Sequence, residues 1–234
     1  MTFQPDFLLI GNANVHICAK LTTEMTKKIS TIIFDFGNVL LDLDFDRCQM
    51  QMEALLGLSY DVYHQKMPDC FRAFETGDLS EEEFISQLET ITNRHIPAED
   101  FRKAWNSLLL DIPDERMALL EDLKSSYQLL LLSNTNDTHL DGARDIMGQE
   151  RFEKFESMFD HCYYSFQMGD RKPNVSIFKT VIEQSRCIPD QTLFIDDGLM
   201  HIEGAKKAGL HAVHLQPGDD VAQLCQRLSI FPVQ

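Results

Sequence analysis

One short apolar run constrains the fold of this 234-residue chain more than any other feature. Residues 31–34, Thr-Ile-Ile-Phe, end on Asp35, and the pair Gly37-Asn38 follows closely. A continuous apolar run of this kind is typical of a strand buried on both faces, as in a parallel sheet. Open α/β sheets bind their ligands at the carboxyl ends of such strands. Asp35 is therefore either a nucleophile or metal ligand, or an ordinary turn residue.

Strand and helix patterns alternate along the second half of the chain. From residue 113 onward, helical patterns separate predicted strands at 128–132, 162–165, 192–195 and 211–215. Residues 46–110 instead carry amphipathic helical patterns with no buried strand, and a capping box begins at Ser80. Strands that alternate with helices predict an α/β fold with a parallel sheet, here interrupted by a helical insertion.

The first 24 residues show neither a helical nor a strand period. They precede Met25, which resembles a natural protein start. We expect residues 1–24 to form a loosely attached, dispensable extension, the alternative being a short strand or helix packed on the body. The remaining chain then divides into a core of residues 25–45 plus 111–234 and an inserted unit of residues 46–110.

Charge and cysteine usage exclude several classes of partner. The formal net charge of −16 disfavours nucleic-acid and anionic-membrane partners, because both kinds of binding depend on Lys and Arg. The six cysteines are scattered without a C-x-x-C pair, which favours reduced thiols in a cytoplasmic protein over a disulfide framework or zinc site. A small anion can still bind where the local field is positive.

Polar residues follow three of the predicted strands. Asp35 follows the first, Ser133-Asn134 the second, and Asp196-Asp197 a later one, so all three loops converge on one edge of the sheet. The segment Gly169–Pro173 adds Lys172, with Pro173 at the expected first position of a helix.

This combination of residues suits phosphoryl transfer. Carboxylates at one sheet edge would hold Mg²⁺, which prefers oxygen ligands. Lys172, the Ser133 hydroxyl and the backbone N–H groups that follow Asp35, on Phe36 and Gly37, would hold phosphoryl oxygens. Taken singly, each residue has a plainer explanation as a helix cap, a turn or a surface charge.

The four motifs together resemble those of the haloacid dehalogenase superfamily. The matching segments are Phe34–Val39, Leu132–Asn136, Arg171–Pro173 and Phe194–Asp197, and the resemblance covers residues 31 to 216. The motifs look most like a bacterial branch of sugar-phosphate phosphatases that includes α-D-glucose-1-phosphate phosphatase, as does Phe74-Glu75-Thr76-Gly77 in the insertion. The resemblance implies a Rossmann-like core with an inserted helical cap.

The resemblance also implies a role for each matched position. Asp35 would be the nucleophile that forms an aspartyl-phosphate. Mg²⁺ would be bound by Asp35, the Gly37 carbonyl, Asp197 and, directly or through water, Asp196. The other matched positions would contact the phosphoryl group or the substrate: Phe36, Gly37, Ser133, Asn134, Lys172 and His139.

Two positions depart from the superfamily pattern. Gly37 stands where most of its phosphatases carry a second aspartate, which acts as general acid and base. His201 stands where an asparagine is usual near the metal. His139 is a candidate substitute acid because histidine titrates near neutral pH, although a local capping or packing role is favoured.

We therefore expect a Mg²⁺-dependent phosphatase that acts on a small phosphorylated metabolite, such as a sugar phosphate, as a monomer or homodimer. One alternative is a metal-independent haloacid dehalogenase, which the paired Asp196 and Asp197 disfavour because they imply a cation. The other is a non-catalytic binding or regulatory module that keeps the fold.

Overall fold

The computed structural model describes residues 29–230. Its five strands form a single sheet in the order β3-β2-β1-β4-β5, and every neighbouring pair is parallel. The strands are β1 (Thr31–Phe34), β2 (Gln128–Ser133), β3 (His161–Tyr164), β4 (Thr192–Asp196) and β5 (His211–His214). The predicted α/β fold is confirmed. Expectations about residues 1–24 concern a segment that lies outside the described residues.

Both faces of the sheet are covered by helices. Ile32 and Phe34 point into an apolar cluster on one face, and Ile33 points into a second cluster on the other. Because alternate residues of a strand face opposite sides, burial on both sides requires an unbroken apolar run. This requirement explains the Thr-Ile-Ile-Phe sequence of β1, all of which is buried.

The chain between β1 and β2 begins with five helices that build an apolar cluster of their own. They are α1 (Phe45–Leu56), α2 (Tyr60–Lys66), α3 (Cys70–Glu75), α4 (Glu81–Thr92) and α5 (Ala98–Trp105). The predicted capping box is present at the start of α4, where Ser80 and Glu83 bond each other's backbone N–H groups. A 3-10 turn over Asn106–Leu108 follows α5.

The remaining seven helices pack on the two faces of the sheet or at its edge. They are α6 (Asp114–Lys124), α7 (Asp137–Met147), α8 (Gln149–Glu156), α9 (Ser165–Met168), α10 (Val175–Ser185), α11 (Leu199–Lys207) and α12 (Val221–Arg227). Gly148, whose φ of 78° interrupts the helix, separates α7 from α8. No helix within residues 29–230 is long and apolar enough to cross a lipid bilayer.

Two chain crossings connect the five inserted helices to the sheet. Leu43 and Leu109 form an antiparallel bridge, flanked by hydrogen bonds from Leu110 N to Asp42 O (3.0 Å) and from Asp44 N to Leu108 O (2.7 Å). The segment that enters the insertion and the segment that leaves it are therefore hydrogen-bonded to each other. The two connections form a paired ribbon rather than two independent loops.

A third contact lies between the end of α3 and the short helix α9, which the sequence did not predict. The Ser165 hydroxyl donates to the Glu75 carbonyl at 2.6 Å. Two residues later, Gly77 adopts a φ of 75°, and a Cβ placed there would lie 2.3 Å from the Phe166 carbonyl oxygen. Glycine at position 77 thus permits both the turn and the close approach.

Substituting Gly77 with alanine should weaken this contact. Gly169→Ala is the matched control, because Gly169 has a similar φ of 64° but no atom within 4 Å of an added Cβ. Both variants should lose about 1–2 kcal/mol of stability to the left-handed backbone conformation. Gly77→Ala should lose roughly 1–3 kcal/mol more, because the added methyl group overlaps the Phe166 carbonyl. Urea unfolding measures both losses, and equal values would contradict the close approach.

Candidate active site

Asp35 lies directly beyond β1, at the carboxyl edge of the sheet. Its backbone N–H donates to the Ile195 carbonyl of β4 at 2.9 Å, which extends the pairing by one residue. Its Oδ1 atom accepts a hydrogen bond from the Phe36 N–H at 2.7 Å. The side chain is only slightly exposed, so the carboxylate is largely shielded from bulk water. The space at this sheet edge, around Asp35, is called the cleft below.

The Lys172 ammonium lies between two carboxylates. Its Nζ is 2.6 Å from Asp35 Oδ1 and 2.7 Å from Asp196 Oδ2, and the lysine side chain is 0% exposed. A fully buried charge requires ionic and hydrogen-bonding partners, because transfer from water is costly. The first, third and fourth predicted motifs therefore meet at one ammonium group.

The loop that carries Lys172 is fixed by side-chain hydrogen bonds to its backbone. Asn134 Nδ2 donates to the Lys172 carbonyl and Asn134 Oδ1 accepts from the Lys172 N–H, each at 2.9 Å. The Asp170 carboxylate accepts from the Arg171 N–H, the Asn174 amide and the Ser176 hydroxyl. This turn delays the next helix, so α10 begins at Val175 and Pro173 does not occupy its first position.

Asp196 ends β4 and is completely buried. Its Oδ1 accepts from the Gly198 N–H at 2.7 Å and lies 2.8 Å from His201 Nδ1, while its Oδ2 accepts from Lys172. Both carboxylate oxygens therefore already have partners. His201, the residue that departs from the superfamily pattern, touches this carboxylate directly.

Asp197 is held by different residues. Its Oδ2 accepts from Asn38 Nδ2 at 3.1 Å, and its backbone carbonyl lies 2.7 Å from His214 Nε2. Asn38 adopts a left-handed conformation with a φ of 55°, which turns the loop after Asp35 toward Asp197. The Gly37-Asn38 pair predicts a sharp turn, but the sequence does not indicate that the Asn38 amide contacts Asp197.

Burial and charge perturb the three central ionisable groups. Burial raises the pKa of Asp35 to about 8, with Lys172 acting to lower it and Asp196 to raise it. Burial would also raise the pKa of Asp196, but Lys172 and His201 outweigh it and hold that pKa below its usual value. Burial opposes charge on Lys172, yet the two carboxylates raise the pKa of its ammonium. Asp196 and Lys172 therefore form an ion pair, whereas Lys172 offsets only part of the cost of a negative charge on Asp35.

This charge distribution fits a bound cation. Ligand atoms of Asp35, Asp196 and His201 lie within 4.8 Å of one another. Asp197, a metal ligand predicted from the sequence, is not part of this group, and its carboxylate accepts from Asn38. The carboxyl groups of Asp35, Asp196 and Asp197 outnumber the Lys172 ammonium, so they can balance the charge of a further cation. Carboxylate oxygens are the donors that Mg²⁺ prefers. The donor set is therefore suited to a hard divalent cation.

The other predicted site residues occupy varied positions. Ser133 is the buried last residue of β2, which pairs with β1. The Phe36 ring is buried against Phe155 with centroids 5.2 Å apart, so the backbone of Phe36, rather than its ring, is the part available to the cleft. At Gly37, an added Cβ would lie 2.7 Å from Leu43 Cδ1, so the Leu43 side chain fills the space beside this glycine.

His139 lies apart from the buried charges, beside the end of α5. Its ring stacks on Trp105 with centroids 4.9 Å apart and planes within 3° of parallel. Its Nδ1 is 3.0 Å from Asn106 Oδ1, and its backbone N–H donates to the N-cap residue Asn136. The histidine thus joins the first turn of α7 to the inserted helices, which favours the packing role over that of an acid.

Two residues near the cleft were not singled out from the sequence. Glu75, at the end of α3, and Arg171, beside Lys172, form an ion pair with Oε2 and Nε 3.1 Å apart. Both belong to motifs that resemble those of the superfamily. The sequence nevertheless gives no sign that they meet, because 95 intervening residues separate an inserted helix from a core loop.

Comparison with known proteins gives relatives along most of the chain. Residues 29–209 match the haloacid dehalogenase-like hydrolase family. The chain is 33% identical over 200 residues to a D-ribitol-5-phosphate phosphatase of Bacteroides thetaiotaomicron, covering 83% of this chain and 96% of that protein. It is 24% identical over 198 residues to a phosphorylated carbohydrates phosphatase of Thermotoga maritima, covering 80% of this chain and 84% of that protein.

Solved structures share the architecture. A haloacid dehalogenase-family enzyme from Bacteroides thetaiotaomicron, in complex with magnesium and inorganic phosphate, has a TM-score of 0.76 at 30% identity, covering 84% of this chain and 98% of its own. A family hydrolase from Porphyromonas gingivalis has a TM-score of 0.78 at 32% identity, covering 86% and 98%. The four motifs, the fold and these matches agree: the chain belongs to the haloacid dehalogenase-like hydrolase family.

Proposed function

We propose that this hydrolase is a Mg²⁺-dependent phosphatase that acts on a small phosphorylated metabolite through an aspartyl-phosphate on Asp35. The observation that carries the proposal is the buried Lys172 ammonium, held between the carboxylates of Asp35 and Asp196. A fixed cation beside a strand-end carboxylate is what a carboxylate nucleophile needs to approach an anionic phosphate.

Asp35 attacks phosphorus in the first half of the proposed reaction. Its Oδ1 is fixed by the Phe36 N–H and by Lys172, which leaves Oδ2 as the attacking atom. Lys172 offsets negative charge on the transferring phosphoryl group, and the buried Ser133 hydroxyl, with the Gly37 N–H, holds its oxygens. The Phe36 N–H, expected from the sequence to join them, instead donates to Asp35. Asn134 keeps Lys172 in place through two backbone hydrogen bonds.

Four groups would hold the metal: the carboxylates of Asp35 and Asp197, the Gly37 carbonyl and, directly or through water, Asp196. Bound Mg²⁺ would neutralise charge on the phosphoryl oxygens and keep Asp35 ionised. The raised pKa of Asp35 supports this assignment, because burial outweighs the effect of Lys172 on the carboxyl group. His201 would orient Asp196 through its 2.8 Å contact.

The five inserted helices, which run from Phe45 to Trp105 and correspond to the predicted insertion of residues 46–110, would act as a cap over the cleft. They possess an independent apolar cluster, and the Leu43–Leu109 ribbon joins them to the core. A cap of this kind excludes water during attack and supplies contacts to the substrate. The relatives act on D-ribitol 5-phosphate and on phosphorylated carbohydrates, so we assign the substrate to the sugar-phosphate or sugar-alcohol-phosphate class.

Replacing the proposed nucleophile should abolish turnover. Asp35→Asn keeps the side-chain shape but removes the nucleophilic charge, so hydrolysis of sugar phosphates should fall below detection with the circular dichroism spectrum unchanged. Asp46→Asn is the matched control, because Asp46 is exposed on α1 and should leave activity within about twofold. Comparable activity in Asp35→Asn and wild type would overturn the proposed nucleophile.

Removal of the metal should abolish activity reversibly. EDTA should abolish phosphate release and added Mg²⁺ should restore it, because the carboxylates would otherwise repel the substrate. Full activity in EDTA, especially with release of halide from a 2-haloacid, would instead favour the dehalogenase alternative.

His139 should influence stability rather than proton transfer. Burial lowers its pKa to about 3, so the folded protein binds fewer protons here than the unfolded chain, whose histidine titrates near 6.5. The stabilising contribution is therefore complete above pH 6.5 and lost as pH falls toward 3. Between pH 7.5 and 5.5, the stability of wild type relative to His139→Gln should fall by about 1 kcal/mol. Urea unfolding at the two pH values measures this change, and a constant difference would show that His139 is not buried neutral.

A further inference from the structure

Within residues 29–230, three buried side-chain polar atoms have no hydrogen-bond partner: Glu75 Oε2, Trp105 Nε1 and Arg171 Nε. Glu75 and Arg171 attract each other across 3.1 Å, but their alignment is too poor for a hydrogen bond. Buried polar groups are usually paired, so an unpaired one indicates an absent ligand or a functional requirement. Arg171 immediately precedes Lys172, which places this pair beside the cleft.

The backbone beneath Glu75 is fixed to the core. Its carbonyl accepts from the Ser165 hydroxyl, and the same hydroxyl oxygen accepts from the Thr135 N–H at 2.9 Å. Thr135 lies in the loop after Ser133. Gly77, two residues after Glu75, closes on the Phe166 backbone. The end of α3, which carries Glu75, is thereby fixed to the loop of the second motif.

Positive charges of the cleft act on the Glu75 carboxyl. Burial raises the pKa of Glu75 above its ordinary value, while Arg171, His201 and Lys172 act to lower it. Lys172 and His201 are the residues that contact Asp196. Glu75 therefore lies near the buried charges, at the end of an inserted helix that contacts Ser165 and the Arg171–Lys172 segment.

Hydrolysis of an alkyl phosphate needs a proton donor for the leaving oxygen. Gly37 has no side chain to supply it, and Leu43 fills the adjacent space. His139 is neutral and already bonded to Asn106. Lys172 is committed to two carboxylates. Glu75, by contrast, has a buried carboxyl oxygen that accepts no hydrogen bond and is held by the Arg171 ion pair alone.

We propose that Glu75 is the general acid and base of the reaction, an inference that rests on the proposed phosphatase function. As the bond between Asp35 and phosphorus forms and the ester P–O bond breaks, the Glu75 carboxyl gives its proton to the leaving oxygen. The Glu75 carboxylate then takes a proton from the water whose oxygen bonds to phosphorus while the bond to Asp35 breaks. Arg171 is a positioning residue that holds the carboxylate between these steps.

The test is the dependence of kcat/KM on the leaving group in Glu75→Gln. This parameter reports steps up to departure of the alcohol, for a series of substituted phenyl phosphates and an alkyl phosphate. The variant should retain kcat/KM within about threefold for p-nitrophenyl phosphate, whose leaving group needs no proton. It should lose about 10²–10⁴-fold for the alkyl ester, so its rates fall steeply as leaving-group pKa rises.

Controls separate this role from others. Glu82→Gln makes the same chemical change at an exposed position of α4 and should match wild type. Glu75→Asp keeps an acid with shorter reach and should restore part of the alkyl-ester rate. Equal losses for all esters in Glu75→Gln, or no loss, would overturn the proposal. Absence of wild-type turnover with every ester would overturn the phosphatase function on which it rests.

Discussion

The Lys172 ammonium is the charge around which the cleft is arranged. It is fully buried, and its Nζ lies within 2.7 Å of carboxylate oxygens from the ends of two adjacent strands. Removing one partner from such a buried pair typically costs roughly 3–5 kcal/mol, because the remaining charge is left unpaired. Asp35, Asp196 and Lys172 therefore specify one another's positions. This mutual constraint fixes the geometry of the three side chains through contacts within the protein alone.

Neighbouring residues fix the groups around Lys172 by hydrogen bonds. Asn134 fixes the Lys172 backbone, and Asn38 fixes Asp197 after the turn that follows Asp35. His201 and the Gly198 N–H occupy one oxygen of Asp196, which leaves its other oxygen for lysine. The inserted helices add Glu75 through the Ser165 and Phe166 contacts. The proposed nucleophile, metal ligands and proton donor thus come from separate segments that meet at one sheet edge.

The sheet and its strand-end motifs were predictable because they follow from local pattern. A strand buried on both faces must be apolar throughout, and parallel strands bring their carboxyl ends together, so Asp35, Ser133 and Asp196 were assigned to one edge. The Glu75–Arg171 pair was not predictable, because no periodicity relates an inserted helix to a distant loop. The same holds for the Asn38–Asp197 hydrogen bond and for Leu43 beside Gly37, which depend on side-chain packing in three dimensions. The late start of α10 arose because Asp170 satisfies several donors of the preceding turn.

Chemical trapping of residue 35 tests the central claim most directly. Acid quenching during turnover, followed by borohydride reduction, converts an aspartyl-phosphate to homoserine, which peptide mass spectrometry locates in the sequence. The proposed mechanism predicts homoserine at position 35, dependent on Mg²⁺ and on substrate. Unmodified Asp35 in an enzyme that is hydrolysing substrate, or an adduct at another carboxylate, would contradict it.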